Sequence, residues 1–144
     1  MRWDFRQHQA NKALEKVVAK TVAAFMNSAG GTLVVGLSDE GEAIGIEADF
    51  ATLGQRPDRD GWEQTLRNVL NAYLSKEVAA LVDVSFAEFE GKTIALVHAS
   101  PARRAAYLMD GQTAEFYVRS GNTTQQLNVK QAHDYIRDHF PKVA

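Results

Sequence analysis

Arg119, Asn122 and Thr123 form the part of this sequence best suited to contact a phosphate. Arg119 ends a predicted strand, and the segment Gly121-Asn122-Thr123-Thr124 then combines a glycine turn with small hydroxyl and amide side chains. A turn of this kind presents N–H groups to an anion, and an arginine adds a planar fork of donors. The phosphates of a nucleic acid are contacted by such groups, so the pattern predicts a nucleic-acid-binding site. The alternative is that Gly121-Asn122 is a simple turn.

Further basic residues could extend this site. Lys12, Lys16 and Lys20 recur every fourth residue in a predicted helix, which places them in a row on one face. Arg103 and Arg104 are adjacent in a predicted loop. All five are predicted nucleic-acid-binding residues, and the alternative for the lysines is a solvated helix face.

The net charge of −2 and the isoelectric point of about 6.1 constrain this hypothesis. Non-specific nucleic-acid binding depends on neutralising phosphates, and domains that bind in this way are usually basic. A nucleic-acid role for this chain therefore requires a local basic patch, a metal ion, an oligomer or a neighbouring domain.

Two carboxylates are weaker candidates, for catalysis. Asp4 and Asp39 would converge if the N-terminal segment packed beside the first predicted strand. Converging carboxylates hold Mg²⁺ or Mn²⁺ for phosphodiester cleavage, so a metal-dependent nuclease is one hypothesis. The alternative is that Asp39-Glu40-Gly41 is a solvated hairpin turn, and in that case we expect no metal or other cofactor.

Other catalytic chemistries have little support in this sequence. It contains no cysteine, which excludes disulfides, thiol nucleophiles and cysteine-ligated zinc. Gly31 and Gly36 have the outer spacing of a P-loop, but Leu37-Ser38 stands where a lysine and a hydroxyl residue are required, so ATP hydrolysis is not expected. The four histidines form none of the usual metal-binding spacings. No signal peptide or membrane-spanning run is readable, and we expect a cytoplasmic protein without a membrane partner.

Three main helices and five or six strands are predicted to position these residues. Apolar periodicity predicts helices at residues 11–27, 60–75 and 128–140, the second and third opened by the capping-box pairs Asp60–Glu63 and Asn128–Gln131. Strands are predicted at residues 32–37, 42–46, 78–88, 93–98, 105–109 and 115–119. The order does not alternate as in a doubly wound sheet. We therefore predict an α+β fold: one domain over residues 1–144, with a mixed sheet of about five or six strands and three main helices packed on it.

Two long motifs carry a family resemblance. The segment from Phe25 to Gly41, with Ile44-Gly45-Ile46 after it, resembles the Schlafen AlbA-type domain of bacteria. The segment from Phe116 to Thr124 and the closing helix are similar to the C-terminal signature of the same family. The resemblance implies an α+β fold and DNA or RNA as the partner.

The same resemblance bears on the nuclease hypothesis. Some animal relatives cleave tRNA and rRNA with three acidic residues. Asp4-Phe5-Arg6 resembles the segment that carries the second of these acids, and Asp39 matches the third with an offset of one residue. The first would fall before Met1. The resemblance thus implies an incomplete acidic site.

Three hypotheses about function follow. The first is a nucleic-acid-binding module that contacts phosphates through the basic and Gly-Asn-Thr segments. The second is a metal-dependent endonuclease that uses Asp4 and Asp39. The third is a non-catalytic assembly domain, a possible homo-oligomer that associates through sheet edges or helix faces.

Overall fold

Residues 8–38, 40–47 and 58–140 are described by this computed structural model, with side chains from residue 15 onward. These residues form four helices: α1 (His8–Met26), α2 (Arg59–Tyr73), α3 (Lys76–Ala79) and α4 (Val129–His139). They also form six strands: β1 (Gly31–Val35), β2 (Val82–Phe89), β3 (Lys92–Ala99), β4 (Tyr107–Asp110), β5 (Thr113–Ser120) and β6 (Thr123–Leu127). The α+β class predicted from the sequence is confirmed.

The strands divide into two three-stranded sheets, ordered β1–β3–β2 and β4–β5–β6, instead of a single mixed sheet. Every pair in both sheets is antiparallel. Three of the four pairs are hairpins with two-residue turns, because β2–β3, β4–β5 and β5–β6 follow each other directly in the chain. Tight hairpins favour antiparallel pairing. The division comes at residues 100–106, the β3–β4 loop, where the chain leaves the first sheet.

The helices complete the core on both sheets. Helix α2 buries Trp62, Leu66 and Leu70 in the same cluster as Leu33 and Val97 of the first sheet. Helix α1 is buried over its last six residues, 21–26, and Val18, Val22 and Met26 are fully covered.

Helices α1 and α4 cover opposite faces of the second sheet. Successive residues of a strand point to opposite faces, and β5 divides its side chains in this way. Tyr117 lies in the main core cluster with α1, whereas Phe116 and Val118 lie in a second cluster with Ala132 and Phe140 at α4. The alternate residues of β5 that face α1 therefore supply the side chains that this helix contacts in the second sheet.

Several local predictions need correction. Asp58, not Asp60, is the N-cap of α2, and its carboxylate accepts a hydrogen bond from Gly61 N at 2.8 Å. Residues 76–79 form the short helix α3 instead of a strand start, because the Ser75 hydroxyl caps them by accepting from Val78 N. The predicted strand at residues 42–46 makes a single bridge, Leu37 to Ala43.

In the C-terminal region, one strand is absent from the sequence prediction, and one predicted helix cap is confirmed. Strand β6 was not predicted, because its residues Thr123–Leu127 are mostly polar and exposed. The capping box of α4 is confirmed, since Asn128 and Gln131 exchange both of its hydrogen bonds.

The junction between α1 and β1 is tight and depends on two glycines. Gly30 has a φ of +81°, a left-handed conformation that glycine adopts cheaply, and its N–H donates to Phe25 O at 2.8 Å. Gly31 is needed for space, because a Cβ there would lie 2.5 Å from Phe25 Cδ1. Phe25 is 8% exposed, so its ring has little room to move.

Gly31→Ala is accordingly expected to lower the free energy of unfolding by about 2 kcal/mol, the usual cost of overpacking. Urea denaturation of the variant and wild type measures this difference. The control is the same substitution in a Phe25→Leu background, where the penalty should shrink because the ring is gone. An equal penalty in both backgrounds would show that the Phe25 ring is not its cause.

Candidate nucleic-acid interface

Arg119 lies at the end of β5, where its guanidinium holds the β5–β6 turn. One terminal nitrogen donates to Thr124 Oγ1 and the other to the Asn122 carbonyl, each at 2.9 Å. The guanidinium carbon lies 5.1 Å from the centre of the Phe25 ring, within the range of a cation–π contact. A guanidinium has five N–H donors, so the two bonds in the turn leave three that could meet a phosphate.

The two predicted neighbours of Arg119 are exposed but differ in what they can donate. The Thr123 hydroxyl donates to Ser120 O at 2.8 Å, so its proton is used inside the turn. The Asn122 side chain is exposed at the tip of the turn, and its amide can donate to an anion. Of the three predicted residues, Arg119 and Asn122 thus have side-chain donors that can contact a phosphate.

The predicted lysine row is confirmed as helical, but its members have different surroundings. Lys16 forms ion pairs with Asp110 at 2.8 Å and Glu115 at 3.2 Å, and its hydrogen bond to Asp110 raises the pKa of its ammonium strongly. The Lys20 ammonium lies 5.8 Å from the centre of the Tyr117 ring. Lys12 lies in α1, and its side chain is outside the described residues. The β4–β5 hairpin therefore neutralises the middle of the row.

Tyr117 connects these groups in the interface between α1 and β5. Its ring is 6% exposed, and its hydroxyl donates to Glu115 Oε1 at 2.6 Å. Burial and this hydrogen bond raise the pKa of the Tyr117 phenol from 10.0 to about 12. Glu115, Tyr117 and Arg119 thus alternate along one face of β5 and contact α1 in sequence.

Arg103 and Arg104 are both exposed in the β3–β4 loop. Over the ranges described, neither arginine lies within 4.0 Å of a carboxylate oxygen. The loop itself is anchored, because Ala102 N donates to Met26 O at 2.8 Å. The β3–β4 loop therefore presents two arginines on a fixed backbone, and neither has a carboxylate partner in the described ranges.

Asn27 holds this loop and β5 against the end of α1. Its side chain is fully buried. The amide nitrogen donates to the carbonyls of Ala106 and Tyr117 at 2.9 Å, and the amide oxygen accepts from Ala106 N at 2.8 Å. The Asn27 carbonyl accepts a short hydrogen bond from the Tyr135 hydroxyl of α4. Next to it, the Ser28 hydroxyl accepts from Arg119 N at 2.9 Å.

The C-terminal end of α1 therefore brings two of the predicted basic segments to one place. Met26 and Asn27 bind the β3–β4 loop with Arg103 and Arg104, and Ser28 binds the backbone of Arg119. Lys16 and Lys20 lie further back along α1, against the β4–β5 hairpin.

The predicted acidic site lies outside the described residues, since both Asp4 and Asp39 do. Within the described ranges, no group of three histidine, aspartate or glutamate side chains could hold a metal ion. The described helices also include none that is long and apolar enough to cross a membrane.

Comparison with the models of known protein families shows which family this chain belongs to. The model of the family described as Schlafen, AlbA_2 matches residues 1–128. The chain belongs to this family. Membership confirms the resemblance seen in the sequence, and it indicates nucleic-acid interaction at the level of the Schlafen AlbA_2 family. All the predicted binding residues lie inside the matched region, and α4 follows it.

One similar solved structure is that of the DIP2311 protein from Corynebacterium diphtheriae. It superposes with a TM-score of 0.62 at 22% sequence identity, over 92% of this chain and 23% of that chain. The chain thus spans less than a quarter of that protein, and the likeness concerns the fold. No curated protein matches the chain.

Sequence reasoning missed Asn27 and Ser28, which organise this region in the Schlafen AlbA_2 chain. Both lie in the motif that carries the family resemblance, directly after the apolar stripe of α1. Their polarity is typical of a solvated helix end, so no local pattern indicates that Asn27 is buried. The partners of Asn27 lie 79 and 90 residues away in the chain, which local patterns do not reveal.

Proposed function

We propose that this chain binds nucleic acid, with the phosphate contacts made by Arg103, Arg104, Arg119 and Asn122. The family match over residues 1–128 is the observation that carries the proposal. Arginine is suited to the task because its planar fork contacts phosphate oxygens with two donors at once.

The geometry of the end of α1 supports this choice of residues. Both arginine-bearing segments are hydrogen-bonded to the successive residues 26–28, where α1 ends, so binding would order little additional backbone. Lys16 is left out of the proposed site, because two carboxylates already neutralise its ammonium. A local arrangement of this kind is compatible with a net charge of −2.

The test is the affinity of an Arg103→Ala/Arg104→Ala double variant for labelled DNA and RNA, measured by fluorescence anisotropy over a range of salt concentrations. Each phosphate contact contributes about one unit to the salt slope of the binding constant, so the double variant should lose about two units. Wild type should bind with a clear salt dependence.

A matched control removes the same charge elsewhere. Lys130→Ala/Arg137→Ala changes two exposed cations of α4 that pair with Asp134. It should leave the slope nearly unchanged. Equal losses in both double variants would mean that net charge, not the β3–β4 loop, governs binding. Absence of salt-sensitive binding by wild type would contradict the proposed function.

The same samples examine the other hypotheses. Probes recovered intact after incubation with Mn²⁺ argue against cleavage, whereas shortened probes would favour the nuclease with Asp4 and Asp39. A stable oligomer without nucleic-acid affinity, seen by light scattering, would favour an assembly domain.

A further inference from the structure

A groove lies directly beside Arg103 and Arg104. It has a volume of about 670 Å³ and runs between α3 and the β3–β4 loop. Its walls are largely apolar and include Val78, Leu81 and Ala102. Leu81 is 40% exposed. An open apolar surface next to two arginines can receive a flat, weakly hydrated group that is attached to an anion.

Both walls of the groove are fixed by hydrogen bonds. On one side, α3 is capped by Ser75, and Leu81 N donates to Val78 O at 3.0 Å. On the other, Asn27 and Met26 hold the β3–β4 loop at Ala106 and Ala102. The groove is therefore preformed, which reduces the entropy that a ligand would lose on binding.

The groove also contains a carboxylate. Glu77 is exposed on α3 and lines the same space as the two arginines. Within the described ranges no cation lies within 4.0 Å of its oxygens. A carboxylate only accepts hydrogen bonds, so at this position it favours a ligand that carries N–H donors.

We propose that this groove accepts an unpaired nucleobase with an exocyclic amino group, while Arg103 and Arg104 hold the adjacent phosphates. This inference rests on the proposed function and gives its substrate class as single-stranded nucleic acid. The amino group of cytosine can donate to Glu77, as acidic residues accept from cytosine in other complexes. In thymine the only ring N–H donor lies between two carbonyl oxygens, which repel a carboxylate. In a duplex the bases are stacked and paired and cannot enter the groove, so the groove selects single strands.

The test compares wild type with Glu77→Gln on oligocytidine and oligothymidine single strands of equal length, and on a hairpin duplex, with RNA counterparts. Wild type should bind the cytosine strand about fivefold more tightly than the thymine strand, the lower end of discrimination by one base contact. Glu77→Gln should bring that ratio close to one.

The control, Glu88→Gln, removes the same charge from the far end of β2, about 20 Å along the strand from Leu81. Loss of a negative charge alone should strengthen binding to every probe equally, and this variant should keep the fivefold ratio.

The outcomes separate the two proposals. A wild-type ratio near one, a ratio that survives Glu77→Gln, or equal binding of the duplex would overturn the groove as a base site and leave the proposed function standing. If wild type binds no probe, the proposed function fails, and the base site fails with it.

Discussion

Asn27→Ala is expected to lower the free energy of unfolding by about 3 kcal/mol, because it leaves several buried backbone groups unpaired. The Asn27 side chain is fully buried and bonds both the N–H and the carbonyl of Ala106 and the carbonyl of Tyr117. Alanine provides none of these bonds, and the space that it leaves lies at the meeting point of α1, the β3–β4 loop and β5. Urea denaturation followed by circular dichroism measures the loss.

The matched control is Asn68→Ala on the exposed side of α2. Asn68 accepts a hydrogen bond from Gln64 on the protein surface at 2.9 Å, and water can replace Asn68 there. Its substitution should therefore cost within about 0.5 kcal/mol. A similar, small cost for Asn27→Ala would mean that the β3–β4 loop is held by other contacts.

The hydrogen bonds of Asn27 also lead to a prediction about nucleic-acid binding. Since Asn27 positions the loop that carries Arg103 and Arg104, its loss should weaken nucleic-acid binding even under conditions where the variant is folded. The salt slope should then change less than in the double arginine variant, because both charges remain.

The elements that the sequence predicts well are those specified by neighbouring residues. Asn128 and Gln131 form their capping box within four residues, and the stripe of α1 follows from apolar spacing alone. The strands on either side of Gly91 and Gly111 were also predicted, and each glycine takes the positive φ that a tight turn between them requires.

The features that the sequence did not predict depend on distant residues. The division into two sheets is decided by where the β3–β4 loop docks on Met26 and Asn27, 76 and 79 residues earlier in the chain. The lysine row was correctly placed on one helix, but Asp110 and Glu115, the partners of Lys16, come from 94 and 99 residues away. Helical spacing says which residues share a face and nothing about what that face meets. The sequence therefore shows which candidate residues share a helix or a turn, but not which residues of distant segments surround them.

The second large expected effect is a loss of folding stability at alkaline pH, caused by Tyr117. Its phenol has a pKa raised from 10.0 to about 12, first by burial and then by its hydrogen bond to Glu115. A raised pKa means that the folded protein holds the proton more tightly than the unfolded chain does. The corresponding stability is complete below pH 10.0 and is lost as pH rises to about 12. Two pKa units correspond to about 3 kcal/mol, so alkaline conditions should destabilise the fold by about that amount through this group.

Tyr117→Phe isolates the contribution. The variant keeps the ring beside Lys20 but loses the hydroxyl that donates to Glu115 at 2.6 Å. At neutral pH it should be less stable than wild type by about 1 kcal/mol, the net worth of one hydrogen bond. Phenylalanine does not ionise, so the difference should vanish near pH 11 and reverse above it. There the folded wild type must either bury a tyrosinate or keep its proton at a pH where the unfolded chain loses it.

Urea denaturation of both proteins at a series of pH values from neutral to alkaline measures this crossing, with tyrosinate absorbance as an independent readout. The control is Tyr107→Phe, which removes a phenol from a residue that is 44% exposed on the opposite face of the same sheet. It keeps the hydrogen bond of Tyr117 to Glu115, so it should lose stability at alkaline pH through Tyr117 as wild type does. A constant difference between wild type and Tyr117→Phe from neutral pH to about 12 would mean that the Tyr117 phenol titrates as it does in the unfolded chain, and that the α1–β5 interface is open to water.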